Sequence, residues 1–136
     1  MGIGIKVRGA MSYVLVIDDD PAFRRVVCRV IEQEGLPVVE GDGLSALTLA
    51  RAEPPALILL DLRMPGVSGL QILHTLRSDK LTSSIPVIVV SSTTDDDVTR
   101  ETVRLGAAGF LYKAQFSVPE LRQLVRQHAN RNKSAA

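Results

Sequence analysis

Apolar and polar positions along this chain switch period five times. Short apolar runs occur at Tyr13-Val14-Leu15-Val16-Ile17, Val38-Val39, Ala56-Leu57-Ile58-Leu59-Leu60, Pro86-Val87-Ile88-Val89-Val90 and Gly109-Phe110-Leu111-Tyr112. Between them, apolar residues recur every three or four positions, the mark of helices with one buried stripe. Near-continuous apolar runs suit strands buried on both faces, and their alternation with helices predicts an α/β fold with a parallel sheet between two helical layers.

Local signals place the helices. Pro21 behind Asp20 opens the first, which carries Phe23, Val26, Val27, Val30 and Ile31 and is stopped by Gly35. The second follows Asp42-Gly43 with Leu44, Leu47 and Ala50 and breaks at Pro54-Pro55. Met64-Pro65-Gly66 makes a turn, and Ser68 caps a third helix bearing Leu70, Leu73 and Leu76. Asp95, Asp96 and Asp97 crowd the start of a fourth, and the fifth carries Val118, Leu121, Leu124 and Val125. One domain is expected over residues 12–127. Residues 1–11 read as an N-terminal extension, native or not, and residues 128–136 as a polar tail that frays from about Arg126.

With 136 residues, 46% hydrophobic and 23% charged, the chain fits one globular core. A net charge of +1 with sixteen scattered basic residues gives no footprint for direct nucleic-acid contact or for a membrane surface. No run approaches a transmembrane span or a signal peptide, and the single Cys28 excludes an internal disulfide; both suit a cytoplasmic protein. Cys28 has no base near it in sequence and reads as a packing or surface thiol.

Acidic residues change the picture. The first apolar run ends in Asp18, Asp19 and Asp20, and the third ends in Asp61. In a parallel α/β sheet the C-terminal strand edge is where ligands bind, and like charges crowded there call for a cation or a proton to compensate. More acids follow these strands than capping needs, so Asp18, Asp19 and Asp61 read as a pocket for a hard divalent metal. Asp20 and Asp95 to Asp97 read as helix caps. His74 and His128 lack partners at ligand spacing and read as surface histidines. Arg100, Arg104, Arg122 and Arg126 read as a solvated face, with a partner or homodimer surface as the alternative.

Five separated segments then agree in order with a known family. Val16-Ile17-Asp18-Asp19-Asp20-Pro21, Asp61-Leu62-Arg63-Met64-Pro65-Gly66, Gly69, Pro86-Val87-Ile88-Val89-Val90-Ser91-Ser92, and Gly106-Ala107-Ala108-Gly109-Phe110-Leu111-Tyr112-Lys113 resemble the receiver domains of two-component response regulators. The resemblance implies a flavodoxin-like (βα)5 doubly wound sheet with strand order 2-1-3-4-5. It further implies a phospho-acceptor at Asp61, with Mg2+ held by Asp19 and Asp61 directly, by Asp18 through a water and by the backbone carbonyl of Arg63. Lys113 would pair with Asp61 and then with a phosphoryl oxygen. Ser91 and Phe110 would form the switch that reshapes the face of the fourth helix, fifth strand and fifth helix.

The implied partners are a histidine kinase or histidine phosphotransfer protein, and a downstream target protein or an output domain beyond this chain. The implied chemistry is self-catalysed aspartyl phosphorylation and dephosphorylation, not turnover of a separate substrate. An unphosphorylated binding module of the same fold is the alternative function. Two departures stand out. Ser91 replaces a more frequent threonine and keeps the donor. Ala114 follows Lys113 where many members carry a proline after a cis bond; a cis Lys113–Ala114 peptide would cost about 3 kcal/mol, so either the loop is rearranged or its neighbours enforce the bond. An FMN site and a haloacid-dehalogenase-type phosphatase fit poorly, because Asp18-Asp19-Asp20 would repel the FMN phosphate and Arg63 stands where the phosphatase needs an acid.

Overall fold

The computed structural model describes residues 12–135, so the reading of residues 1–11 lies outside the described residues. Strands β1 (Val14–Ile17), β2 (Val38–Glu40), β3 (Leu57–Asp61), β6 (Val87–Ser91) and β7 (Gly109–Tyr112) form one sheet in the order β2-β1-β3-β6-β7, and each neighbouring pair runs parallel. The remaining two strands, β4 (Arg63–Met64) and β5 (Val67–Ser68), make a separate antiparallel ribbon. With the ribbon set aside, the sheet has the expected 2-1-3-4-5 order. The turn foreseen at Met64-Pro65-Gly66 is the bend of this ribbon, where Gly66 takes φ +74°, a conformation that a side chain would strain.

Alternation along each strand divides the core in two. Val14, Val16, Leu57, Leu59, Ile88 and Val90 face α1 (Pro21–Gln33) and α5 (Val118–Ala135). Leu15, Ile17, Ile58, Leu60, Val87 and Val89 face α2 (Gly43–Ala52) and α3 (Gly69–Ser78), with Val98 of α4 (Asp96–Arg104) against the same cluster. Every residue of β1, β3 and β6 is buried, which is why these segments read as unbroken apolar runs. Of the foreseen caps, Asp20 accepts the Ala22 and Phe23 N–H groups, Ser68 that of Gln71 and Asp95 that of Asp97, while Asp96 and Asp97 lie within the first turn; Asp42, not foreseen as a cap, accepts the Ser45 N–H.

The structure corrects several details. Tyr13 precedes β1 and is buried, its hydroxyl donating to the Glu53 carbonyl. Leu44 is 72% exposed and does not belong to the buried stripe of α2. Ala46 and Ala50, one turn apart, bring that helix onto the sheet instead. The helix α5 runs on past Arg126: Ala129 continues the Leu121 and Val125 stripe into the core, and the backbone is helical to Ala135. The Lys113–Ala114 peptide is trans, and Lys113–Gln115 turns as a short 3-10 helix before α5.

Candidate functional site

Adjacent strands β1 and β3 end level with one another, Ile17 opposite Leu60, and so deliver Asp18 and Asp61 side by side at the C-terminal edge. Both acids are buried, at 5% and 3% exposure, while Asp19 is exposed. Ligand oxygens of the three carboxylates lie within 4.8 Å of one another. Lys113 leaves β7 and places Nζ 3.2 Å from Asp18 Oδ2, 3.2 Å from Asp61 Oδ2 and 3.8 Å from Asp20 Oδ2. Asp20 therefore does more than cap α1. The ammonium also sits 4.8 Å from the centroid of Phe23, whose ring packs edge-on against Phe116.

Main-chain donors orient the buried acids. The Asp20 N–H donates to Asp18 Oδ1 at 2.8 Å, and the Arg63 N–H donates to Asp61 Oδ1 at 3.0 Å. Burial pushes the Asp18 carboxyl up to about 6; the Asp20 N–H opposes that rise, the Asp61 charge adds to it, and Lys113 opposes it again. Burial alone would pull the Lys113 ammonium down, but the charges and hydrogen bonds of Asp18 and Asp61 outweigh it and hold its pKa above the ordinary lysine value.

Ser91 ends β6 fully buried, beside β3. Its hydroxyl is engaged with the following loop: it accepts the Thr93 N–H at 3.0 Å and donates to the Thr93 carbonyl at 3.4 Å. Phe110 is half-buried on β7, its ring 4.8 Å from that of Tyr112, and the Tyr112 hydroxyl lies 3.5 Å from Thr99 Oγ1 on α4. The sheet thus gathers Asp18, Asp19, Asp61 and Lys113 into one cluster, with Ser91 at its rim and Phe110 farther along β7.

The donor set is three carboxylates without sulfur or imidazole, which suits a hard cation such as Mg2+. Among the described residues no other group of three or more His, Cys, Asp and Glu has metal-ligand spacing. Cys28 is buried; its thiol is pushed up to about 12, mainly by burial and then by the Glu40 carboxylate.

Some residues escaped the sequence reading. Arg24 and Glu40 border the acids, and a cleft of about 430 Å3 opens there between Asp18, Asp19, Arg24, Glu40, Met64 and Val67. The one signal in sequence was an acid closing a short apolar strand. Arg122 and Arg126 are no plain solvated face: both bind Glu34 at the end of α1, tying α5 to α1 across about ninety positions. Arg100 and Arg104 pair within their own helix, with Asp97 and Glu101. Among the described residues no helix is long and apolar enough to cross a membrane.

The family model for the response regulator receiver domain matches residues 14–126. The chain belongs to the response regulator receiver domain family. This receiver is similar to the DNA-binding response regulator MtrA of Mycolicibacterium smegmatis, 36% identical over 120 residues, 88% of this chain and 51% of that protein. It spans about half the length of the curated relatives it matches. Among solved structures it resembles the receiver domain of the Francisella response regulator 1452 (30% identity, TM-score 0.78, 89% and 98% of the two chains). The chemotaxis protein CheY4 of Vibrio cholerae is also similar (26% identity, TM-score 0.78, 88% and 99% of the two chains). Receiver domains are parts of two-component systems. As a family they accept phosphate on an aspartate, bind a divalent metal and work with a histidine kinase.

Proposed function

We propose that this receiver accepts a phosphoryl group on Asp61 from a phosphohistidine of a histidine kinase or histidine phosphotransfer protein, with Mg2+ as the cation. The observation that carries the reading is the Asp61 carboxylate, buried at a strand tip, 3.2 Å from Lys113 and within 4.8 Å of ligand oxygens of Asp18 and Asp19. The carboxylate oxygen attacks phosphorus, a P–O bond forms, and the P–N bond to the donor imidazole breaks with its electron pair left on nitrogen. Such transfer asks the protein mainly for alignment and for neutralisation of charge on the phosphoryl oxygens. The Arg63 N–H holds one Asp61 oxygen and leaves the other, which faces Lys113, for the incoming phosphorus. Lys113, already between Asp18 and Asp61, meets an incoming phosphoryl oxygen without leaving the pocket.

Asp19 and Asp61, Asp18 through a water, and the Arg63 carbonyl would hold the cation. When bound, Mg2+ supplies positive charge against the phosphoryl oxygens and the clustered carboxylates. After transfer, phosphoryl oxygens on Asp61 compete with Thr93 for the Ser91 hydroxyl. Movement of that hydroxyl frees space for Phe110 to turn, and the face of α4, β7 and α5 changes for a downstream protein or an output domain, as a local charge event with a remote readout. The DNA-binding character of MtrA suggests an output domain of that kind for the whole protein. Intact mass after incubation with acetyl phosphate and Mg2+ tests the reading. A gain of one phosphoryl group, abolished by EDTA and by Asp61→Ala, supports it. A folded protein that binds Mg2+ without that gain would favour a module that recognises its partner unphosphorylated.

A further inference from the structure

Arg24 stands between the acidic pocket and the scaffold behind it. Its Nη1 donates at 2.7 Å to the main-chain carbonyl of Asp18, and its Nε pairs at 2.7 Å with Glu40 Oε1. Glu40 closes β2, the strand beside β1, and its other oxygen accepts the Cys28 thiol at 3.5 Å. The tie therefore runs from α1 and the tip of β2 to the tip of β1.

What Arg24 holds is the peptide that joins Asp18 to Asp19. The Asp18 carboxylate is already fixed by the Asp20 N–H and Lys113. Asp19 is exposed, and among the described residues its carboxylate makes no hydrogen bond. The direction in which Asp19 leaves β1 thus rests on its backbone, and Arg24 is the side chain that binds that backbone. A planar guanidinium can serve acceptors on two strands at once through separate edges; an ammonium on a flexible stem cannot hold the same fork.

We propose that Arg24, anchored by Glu40, is a positioning residue for cation binding at Asp18, Asp19 and Asp61. This rests on the reading of those acids as the cation pocket. Its charge argues the other way, which makes the inference testable: deleting a cation beside an acidic pocket should, by Coulomb attraction alone, tighten the binding of another cation. Positioning demands the opposite sign.

The test is the Mg2+ dissociation constant by titration calorimetry for the wild type, Arg24→Gln, Arg24→Lys, Glu40→Gln and the Arg24→Gln/Glu40→Gln double variant, with the thermal midpoint of each measured in EDTA. Arg24→Gln is expected to weaken Mg2+ by roughly tenfold or more, the size usual when a group that orients metal ligands is removed. Arg24→Lys should recover little of that loss, and the double variant should bind no worse than Arg24→Gln. Arg24→Lys keeps the charge and decides the matter if Arg24→Gln does not fold. Mg2+ binding that is unchanged or tighter in the folded Arg24 variants, with only the thermal midpoint lowered, would reduce Arg24 to a staple of the fold and overturn the proposal. A wild type that fails to bind Mg2+ would instead remove the pocket on which the proposal rests.

Discussion

Lys113 Nζ and Asp61 Oδ2 stand 3.2 Å apart although their strands are not neighbours, β6 lying between β3 and β7. The lysine side chain spans the tip of β6 and meets two buried carboxylates that would otherwise face one another. Lys113→Met should therefore lower the stability of the metal-free protein by about 1–3 kcal/mol, since it strips a partner from buried charged groups. Asp61→Asn should recover part of the loss in that background, because one of the two like charges is gone. Urea unfolding in EDTA measures both, and strictly additive effects would contradict the coupling.

Gly69 opens α3 against the end of β3. A Cβ placed there would lie 2.4 Å from Leu62 Cα and 2.6 Å from the Asp61 carbonyl oxygen, and main chain cannot step aside as a side-chain tip can. Gly69→Ala should cost about 1–3 kcal/mol as an overpacking change and should slow phosphoryl acceptance by shifting Asp61. Gly43→Ala meets only Val67 Cγ1 and Ile72 Cδ1 at 2.8 and 3.0 Å, so it should cost less. Equal midpoints in thermal melts of the two variants would count against this account.

Asp61 and Asp18 were legible because the end of a buried apolar run is also the end of a strand, and all ligand-edge acids share that local sign. The strand order was legible only through the resemblance, since periodicity says nothing about which strands pair. Glu40 carried the same sign, but its pairing with Arg24 was not legible, because the contact depends on β2 lying beside β1 at the register that sets Val16 opposite Glu40. Arg122, Arg126 and Glu34 were missed for the same reason at longer range. Leu44 misled because helical phase alone does not say which of two apolar stripes faces the sheet, and the smaller Ala46 and Ala50 fit the closer approach.

Glu34 links pH to the docking of α5. Hydrogen bonds from Arg126, with those of Arg122 and both positive charges, outweigh burial and hold its carboxyl below the usual glutamate value. A carboxylate with a depressed folded pKa adds stability above its unfolded pKa and loses it as pH falls through the folded one. Glu34→Gln should thus lower the thermal midpoint at pH 7 and make progressively less difference as pH drops below the ordinary carboxylate range. A midpoint gap between wild type and variant that stays constant from neutral to strongly acid pH would refute the link.

Cys28 should be chemically quiet. Burial first, and the Glu40 carboxylate second, push its thiol up to about 12, so little thiolate is present at neutral pH. Maleimide should label the native protein slowly at pH 7 and rapidly once denaturant unfolds it. Fast labelling of the folded protein would show that this face of α1 opens readily.

The claim on which the rest depends is that Asp61 carries the phosphoryl group. Borohydride reduces an aspartyl phosphate to homoserine, so treating the acetyl-phosphate- and Mg2+-incubated protein and mapping its peptides by mass spectrometry reads the acceptor directly. Homoserine at position 61, absent when EDTA is included, is the predicted result. Homoserine at position 18 or 19, or none anywhere in a protein whose intact mass shows the added group, would contradict it.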